Sequence, residues 1–347
     1  MMRASLFHVV GAGLVLLQCM NAGAVENAPA GSGVVWEART TAAQARQALQ
    51  AAADAGRAGD AETYAAQEAK AEELFAEARR LFEDAGGMQL DDVEALADYA
   101  RVLTAHYDAD LAADALRRAT RLAPKNAELW LALGRGLLSP LYQRPEEAKQ
   151  ALIQAARLGA GGDVEGASRA ALGQYYWNRR LFDFAEEQWV EALDVVPGEF
   201  LAQAGLAAVL ARRGAVQEAS ERVAALSQAP PDVLASLVQM LSLALDDFAH
   251  SGLWFEDTAE AHFAYASLLF RAGKYVDCVA PLERTVTLDP KNHVAWNMLG
   301  SISMQLGHLE RARDAFETSL QLNPDQERTR EALKALISGE PSGNGGP

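Results

Sequence analysis

Between Val294 and Leu306 the apolar residues Val294, Ala295, Met298, Leu299, Ile302 and Leu306 return at intervals of three and four, the spacing that gathers side chains on one face of a helix. Gly307 interrupts the pattern. Leu309, Ala312, Ala315, Phe316, Ser319, Leu320 and Leu322 then repeat it, and Pro324 stops the second run because it has no N–H to donate and clashes with the preceding turn. Two amphipathic helices joined by a glycine turn make a hairpin that cannot bury its apolar stripes alone. The same pattern is therefore expected elsewhere at a fixed period.

The chain supplies it. Thirty-four residues before Pro324 stands Pro290, preceded by Tyr265, Gly273, Cys278 and Leu282 in the places of Leu299, Gly307, Ala312 and Phe316. Farther upstream the frame holds Leu172, Gly173, Tyr176, Ala185, Trp189, Ala192 and Pro197, and after them Leu206, Gly214 and Ala219 before Pro231. Tyr99, Ala112, Leu116, Ala119 and Pro124 form an earlier copy, followed by Trp130, Leu133, Gly134, Ala148, Leu152 and Ala155. Six units are predicted, at 93–126, 127–162, 166–199, 200–233, 259–292 and 293–326. The second carries extra residues around "LSPLYQRP" and ends on Ala160 in a glycine-rich turn where the others have Pro.

These residues resemble the tetratricopeptide repeat, whose pattern of a Trp-like residue, Leu-Gly, Ala, a Phe-like residue and Pro is matched by Trp296, Leu299, Gly300, Ala312, Phe316 and Pro324. The resemblance implies an all-α fold, a right-handed α-solenoid of helix-turn-helix repeats, and protein binding in place of catalysis. It further implies that the first helix of each hairpin lines a concave groove. The lining positions include Arg101, Arg135, Gln174, Trp177, Asn178, Arg212, Phe263, Phe270, Arg271, Asn297 and Met304, and none of the lining positions is acidic although 47 of 347 residues are Asp or Glu. Aromatic and Arg side chains dominate binding hot spots, and an Arg fork holds a carboxylate by two hydrogen bonds. A protein or peptide partner, acidic in character, fits these positions. The competing reading is that the arginines pair with acids of a neighbouring helix. The Lys and Asn clamp of the family's chaperone-binding members is not carried over, since Ala97 and Arg101 stand at the matching positions.

Outside the units, residues 1–24 combine Arg3, an apolar run from Leu6 to Leu17 and an Ala22-Gly23-Ala24 ending. That run is too short to span a membrane and has the three-part form of a secretory signal cut after Ala24. Export is expected, to the periplasm, with no membrane span after signal removal. A lipid anchor at Cys19 is disfavoured by the bulky Gln18 before it. Residues 25–37 read as a flexible leader and 38–92 as capping helices, with Leu74, Phe75, Ala78, Leu81 and Phe82 as one stripe. Four repeats fill 93–233, and an apolar helical insert at 234–258 ends in a loop carrying Trp254 and Phe255. It is expected to divide the array into four and two. Two repeats fill 259–326, and 327–347 hold a capping helix and a disordered tail.

The net charge of −16 becomes −17 once Arg3 leaves with the signal. Nucleic acid and anionic membrane surfaces are thereby disfavoured as partners, because phosphate binding requires a positive field. Cys278 would be the sole remaining cysteine and reads as a small buried hydrophobe. His106, His250, His262, His293 and His308 are scattered without metal-ligand spacing, and no catalytic, metal or cofactor residue is assigned. Trp130, Trp189, Trp296 and Phe316 read as repeat core. Asp91-Asp92 and Asp246-Asp247 read as solvated helix-end charges, with one of the first pair a helix cap. The pattern points to a non-enzymatic scaffold or adaptor in the cell envelope, acting during assembly, secretion or export. An accessory or regulatory subunit of an envelope enzyme complex, docking through the Trp254 loop, is the alternative. The oligomeric state is not expressed in the sequence.

Overall fold

The computed structural model describes residues 33–58, 60–138 and 144–338. The expected signal peptide, most of the leader, much of "LSPLYQRP" and the tail from 339 lie outside them. Among the described residues there are sixteen α-helices and no strand. Contact clustering divides the chain into two compact units, the first ending at Ala202 and including 230–235, the second holding Gln203–Ala229 and everything from Ser236.

In the first unit α1 (Gly33–Ala58) and α2 (Ala61–Asp84) form one hairpin, α3 (Val93–Ala105) and α4 (Ala109–Leu122) the next, then α5 (Ala127–Leu138) with α6 (Pro145–Leu158), and α7 (Asp163–Asn178) with α8 (Phe182–Val195). Helix α1 begins at Gly33, so 33–37 are helical where a flexible leader was expected; Val35 and Ala38 are buried and tie this turn into the core. The α1–α2 pair packs on α3 and continues the stacking without the repeat signature. Asp92 caps α3 by accepting from the Glu94 and Ala95 N–H groups, at 2.9 and 3.0 Å, while Asp91 pairs with Arg118.

The second unit holds α9 (Phe200–Arg212), α10 (Val216–Ala225), α11 (Pro231–Ser251), α12 (Ala259–Arg271), α13 (Val279–Leu288), α14 (His293–Gln305), α15 (Leu309–Leu322) and α16 (Glu327–Ser338), of which α9 and α11 begin in the first. The division falls within α9, after Ala202, and again within the insert helix α11, after Ala235. The insert helix α11 is bound into the second unit: Phe248 lies against Gly214 and Tyr265, and Asp246 takes a hydrogen bond from Lys274 at 2.8 Å. Helix α11 is long and apolar enough for a membrane span by length and composition. Its Leu237, Met240, Leu241, Ala244, Leu245 and Phe248 are buried in the protein and form one face of the helix.

One small position in each first helix sets the hairpin spacing. A Cβ on Gly300 would sit 2.5 Å from Phe316 Cδ1, one on Gly134 2.6 Å from Leu152 Cγ, and one on Gly173 would collide with the Trp189 indole. Where the same position is Ala100, Ala207 or Ala266, the matching position of the second helix holds Leu116, Val223 or Leu282, none of them aromatic. Trp189 and Phe316 are fully buried by this arrangement. Trp130 and Trp296 are instead half-buried, a correction to their reading as core: their Nε1 atoms donate to the carbonyls of Pro124 and Pro290, at 2.9 and 3.0 Å, and tie each hairpin to the one before.

Five of the turns between paired helices share one geometry. Gly214, Gly273 and Gly307 take left-handed φ, and Tyr107 and Arg180 take it at the same place in hairpins that lack the glycine. The residue after each donates its N–H to the carbonyl five positions back, as in Asp108 to Leu103 and His308 to Ser303. In the fifth repeat α13 starts late, at Val279, because Pro281 has no N–H for the Asp277 carbonyl; a turn covers 275–278 instead. Cys278 is fully buried there, its thiol pushed up to about 12 by burial and then by Asp277. It is a packed thiol and not a nucleophile.

Gly173→Ala is expected to cost about 1–3 kcal/mol by overpacking. Adding Trp189→Leu, which recreates the Ala–Leu combination of the first and fifth repeats, should recover part of that loss in chemical denaturation; a double variant weaker than either single change would contradict this account. Arg180→Gly should raise stability by roughly 0.5–1 kcal/mol, since a side chain in the left-handed region costs about 1–2 kcal/mol. A lowered melting temperature would refute it.

Candidate functional site

The candidate groove residues separate into four groups. Trp177 leaves the groove altogether: it is fully buried, with Phe182 at 4.8 Å and Trp189 at 5.6 Å between ring centroids. Its volume is core of the third hairpin. Of its neighbours on α7, Gln174 is half-buried and Asn178 exposed.

Two groove arginines are committed within the chain. Arg101 Nη1 donates to Asp98 Oδ1 at 2.5 Å on its own helix, and Arg212 Nε donates to Asp247 Oδ2 of the insert helix at 3.1 Å. The lining positions hold no acid, but Asp98 next to one of them and Asp247 on the insert helix each pair with one of these cations. Asp246 and Asp247 are accordingly ion-pair partners and not solvated helix-end charges. Arg135 is half-buried on α5.

The third group remains available. On α12, Phe263 and Phe270 are half-buried, and Phe270 meets Tyr275 edge-on at 5.5 Å. Arg271 beside them is exposed and makes no hydrogen bond or ion pair among the described residues. Asn297 and Met304 hold the matching positions on α14 and are also half-buried. Each helix thus offers its lining positions, two rings on α12 and an amide and a thioether on α14, with Arg271 next to Phe270.

The insert loop is the fourth. Trp254 is 83% exposed, whereas Phe255 is packed among Phe248, His262 and Tyr265 at 5.1–6.0 Å. The two residues do not act as one site. Asp257 fixes the loop: Arg284 Nε donates to it from α13 at 2.8 Å, and His262 Nε2 lies 2.8 Å from it on α12. Those hydrogen bonds, Arg284 first, hold its carboxyl well below the usual carboxylate range. Thr258 then caps α12 through the Ala261 N–H.

Sequence reasoning missed two features. Tyr175 is buried and donates to Glu146 at 2.7 Å with the Arg179 guanidinium 4.8 Å from its ring; burial first, then Glu146, pushes its phenol up to about 12. Asp98 gathers Arg39 and Arg46 from α1 as well as Arg101. The Asp98–Arg101 spacing of three was legible; the contribution of α1 was not, because that helix lacks the repeat pattern. No group of three or more His, Cys, Asp and Glu able to hold a metal occurs among the described residues.

Residues 293–326 match the tetratricopeptide repeat family model, over the hairpin α14–α15 where Gly300 meets Phe316 and Trp296 reaches back to Pro290. That hairpin is a tetratricopeptide repeat. A comparison with curated proteins finds no match. Among solved structures, this chain is similar to a tetratricopeptide repeat protein from Parabacteroides merdae, at 16% identity over 85% of this chain and 99% of that one, with a TM-score of 0.36. It is similar to yeast Tom70 at 16% identity, 97% and 71% coverage and a TM-score of 0.41. YrrB, described as a repeat protein with an unusual peptide-binding site, gives 14% identity, 73% and 97% coverage and a TM-score of 0.28. At these identities and scores the likeness says nothing of function.

Asp257→Asn should release the insert loop, since its depressed carboxyl contributes stability above about pH 4 that is lost as pH falls below it. Faster hydrogen exchange across 252–262, with α14 and α15 unchanged, is the expected result; unchanged exchange in the loop would show that Phe255 alone holds it.

Proposed function

We propose that this protein is a non-enzymatic scaffold that holds a peptide or helix of a protein partner along the first helices of its hairpins. The observation that carries this is the half-buried stripe of Phe263 and Phe270 on α12, with Asn297 and Met304 at the same positions on α14 and Arg271 uncommitted beside it. Apolar side chains supply contact area, and the Asn297 amide can bond a backbone. The signal-like segment 1–24 supports an envelope location, where the scaffold would serve assembly, secretion or export. N-terminal sequencing of the protein from cells checks that: a chain starting near Val25 agrees with it, and an intact Met1 in a cytoplasmic pool does not.

A second reading rests on Trp254. It projects from a loop fixed on its C-terminal side by Phe255 and Asp257, the preorganised presentation of an anchor, and it would dock the chain onto an enzyme as an accessory subunit.

Photo-crosslinkers placed at 263, 304 and 254 separate the two. Once a crosslinked partner is in hand, Phe270→Ala is expected to weaken its binding by about 1–3 kcal/mol. Arg271→Ala should weaken it by about 0.2–1 kcal/mol, and only at low salt, because that side chain is solvated. Crosslinking from 254 alone, with Phe270→Ala binding as wild type, would overturn the groove reading in favour of the second.

A further inference from the structure

Asp98 is more than a buried carboxylate with a partner. Its side chain, 7% exposed, faces three guanidinium groups: Arg39 Nε donates to Oδ2 at 2.9 Å, Arg101 Nη1 to Oδ1 at 2.5 Å, and Arg46 Nη1 lies 3.5 Å from Oδ1. Arg39 also donates to Glu94 Oε2 at 2.7 Å. Three cations therefore face two carboxylates, and one positive charge is left over in a chain whose net charge is −16.

The surplus can be assigned to particular atoms. Arg46 approaches Asp98 at ion-pair distance and makes no hydrogen bond among the described residues. Arg101 Nε is buried with no hydrogen-bond partner. An unmet buried donor is costly, and an unmet donor on a charged group more so. Arg46 also bears the strain electrostatically: burial, and then Arg101 and Arg39, act against its charged form and outweigh the attraction of Asp98. A further carboxylate at Arg46 would satisfy its guanidinium donors and the surplus charge, to which the enclosed Arg101 contributes through its field. One unit of negative charge suffices, which suits a carboxylate better than a phosphate dianion. The position is reachable, since Arg46 is 31% exposed.

An apolar contact lies on the same face. Trp36 is 54% exposed and stands three residues before Arg39, with Arg46 seven residues further on, so all three share one stripe of α1. An exposed indole beside guanidinium groups is the composition of a binding hot spot.

We propose that Arg39, Arg46 and Arg101 form a carboxylate-binding subsite that takes an Asp or Glu side chain of an acidic peptide segment, with Trp36 packing against an apolar residue of that segment. This rests on the scaffold reading and moves its anionic contact from Arg212, which Asp247 neutralises, to the N-terminal hairpins.

The test uses the full chain and a fluorescein-labelled twelve-residue peptide of Glu, Leu and Gly with an amidated C-terminus, so that its only carboxylates are side chains. The same peptide with Gln for Glu is the control. In anisotropy titrations the Glu peptide should bind about tenfold tighter than the control, with the difference shrinking as salt rises. Arg46→Gln, which leaves Asp98 with two bonded arginines, should abolish the preference, while Arg271→Gln should keep it. Glu94→Gln should strengthen Glu-peptide binding about threefold, because it removes a competing carboxylate; Glu94 is 72% exposed, and a purely structural network would show no such gain. Equal binding of the two peptides to wild type, a preference that survives Arg46→Gln in a folded chain, or no gain from Glu94→Gln would each overturn the subsite. If the crosslinked partner is lost with Phe270→Ala but unaffected by Arg46→Gln, the subsite falls and the scaffold reading stands; if it is indifferent to both, both fall.

Discussion

How closely the two helices of a hairpin approach is decided where a position without bulk on the first meets a large side chain on the second. Gly134 admits Leu152, Gly173 admits Trp189 and Gly300 admits Phe316, each so near that a Cβ would have to displace the partner. Packing at crystal-like density leaves no slack for such a methyl. With that separation set, the turn takes its shape as well: five hairpins place a left-handed residue after the first helix and close the same hydrogen bond five positions back. The backbone of each repeat is thereby fixed by a few inward positions. The outward ones are left free to differ.

That separation explains which parts of the fold are legible in the sequence. A small residue, Gly or Ala, on the first helix, and in most repeats a proline after the second, keep a 34-residue frame and announce the hairpins directly. The turn at Tyr107 and Arg180 is not announced, because neither residue signals positive φ; it is imposed by helices whose spacing is already settled. The late start of α13 was readable in Pro281, whose missing N–H must fall in a first turn. The α1–α2 hairpin shows the opposite case. It stacks on α3 through buried alanines such as Ala42 and Ala45, and small residues on a long helix carry no repeat signature.

The candidate site was less legible because repeat position predicts the face a residue occupies and not what it meets there. Trp177 sits at a lining position, yet its indole packs inward on Phe182 and Trp189, where burial of so large an apolar surface outweighs exposure on a groove. Phe255 likewise serves the core, and Trp254 beside it does not. For the arginines the deciding partners lay one position away, as Asp98 does, or on an element outside the frame, as Asp247 does.

The remaining arginines show where the positive charge of an acidic chain goes. Arg117 on α4 holds Glu147 on α6 with two hydrogen bonds, at 2.5 and 2.9 Å, and Arg311 on α15 holds Glu283 on α13, so second helices of successive hairpins are clamped to each other. Arg169 pairs with Glu165 and Glu191 within its own hairpin. Such partly solvated pairs contribute about 0–1 kcal/mol each, so their weight lies in register more than in stability. They do, however, consume cations. In a chain with 31 basic and 47 acidic residues, other cations such as Arg80, Arg121, Arg157 and Arg222 stay exposed on the helix surfaces. Arg271, next to Phe270, and Arg46, in the cluster above Asp98, differ from those cations in their surroundings, and electrostatic complementarity depends on such local arrangement more than on the net charge of a chain.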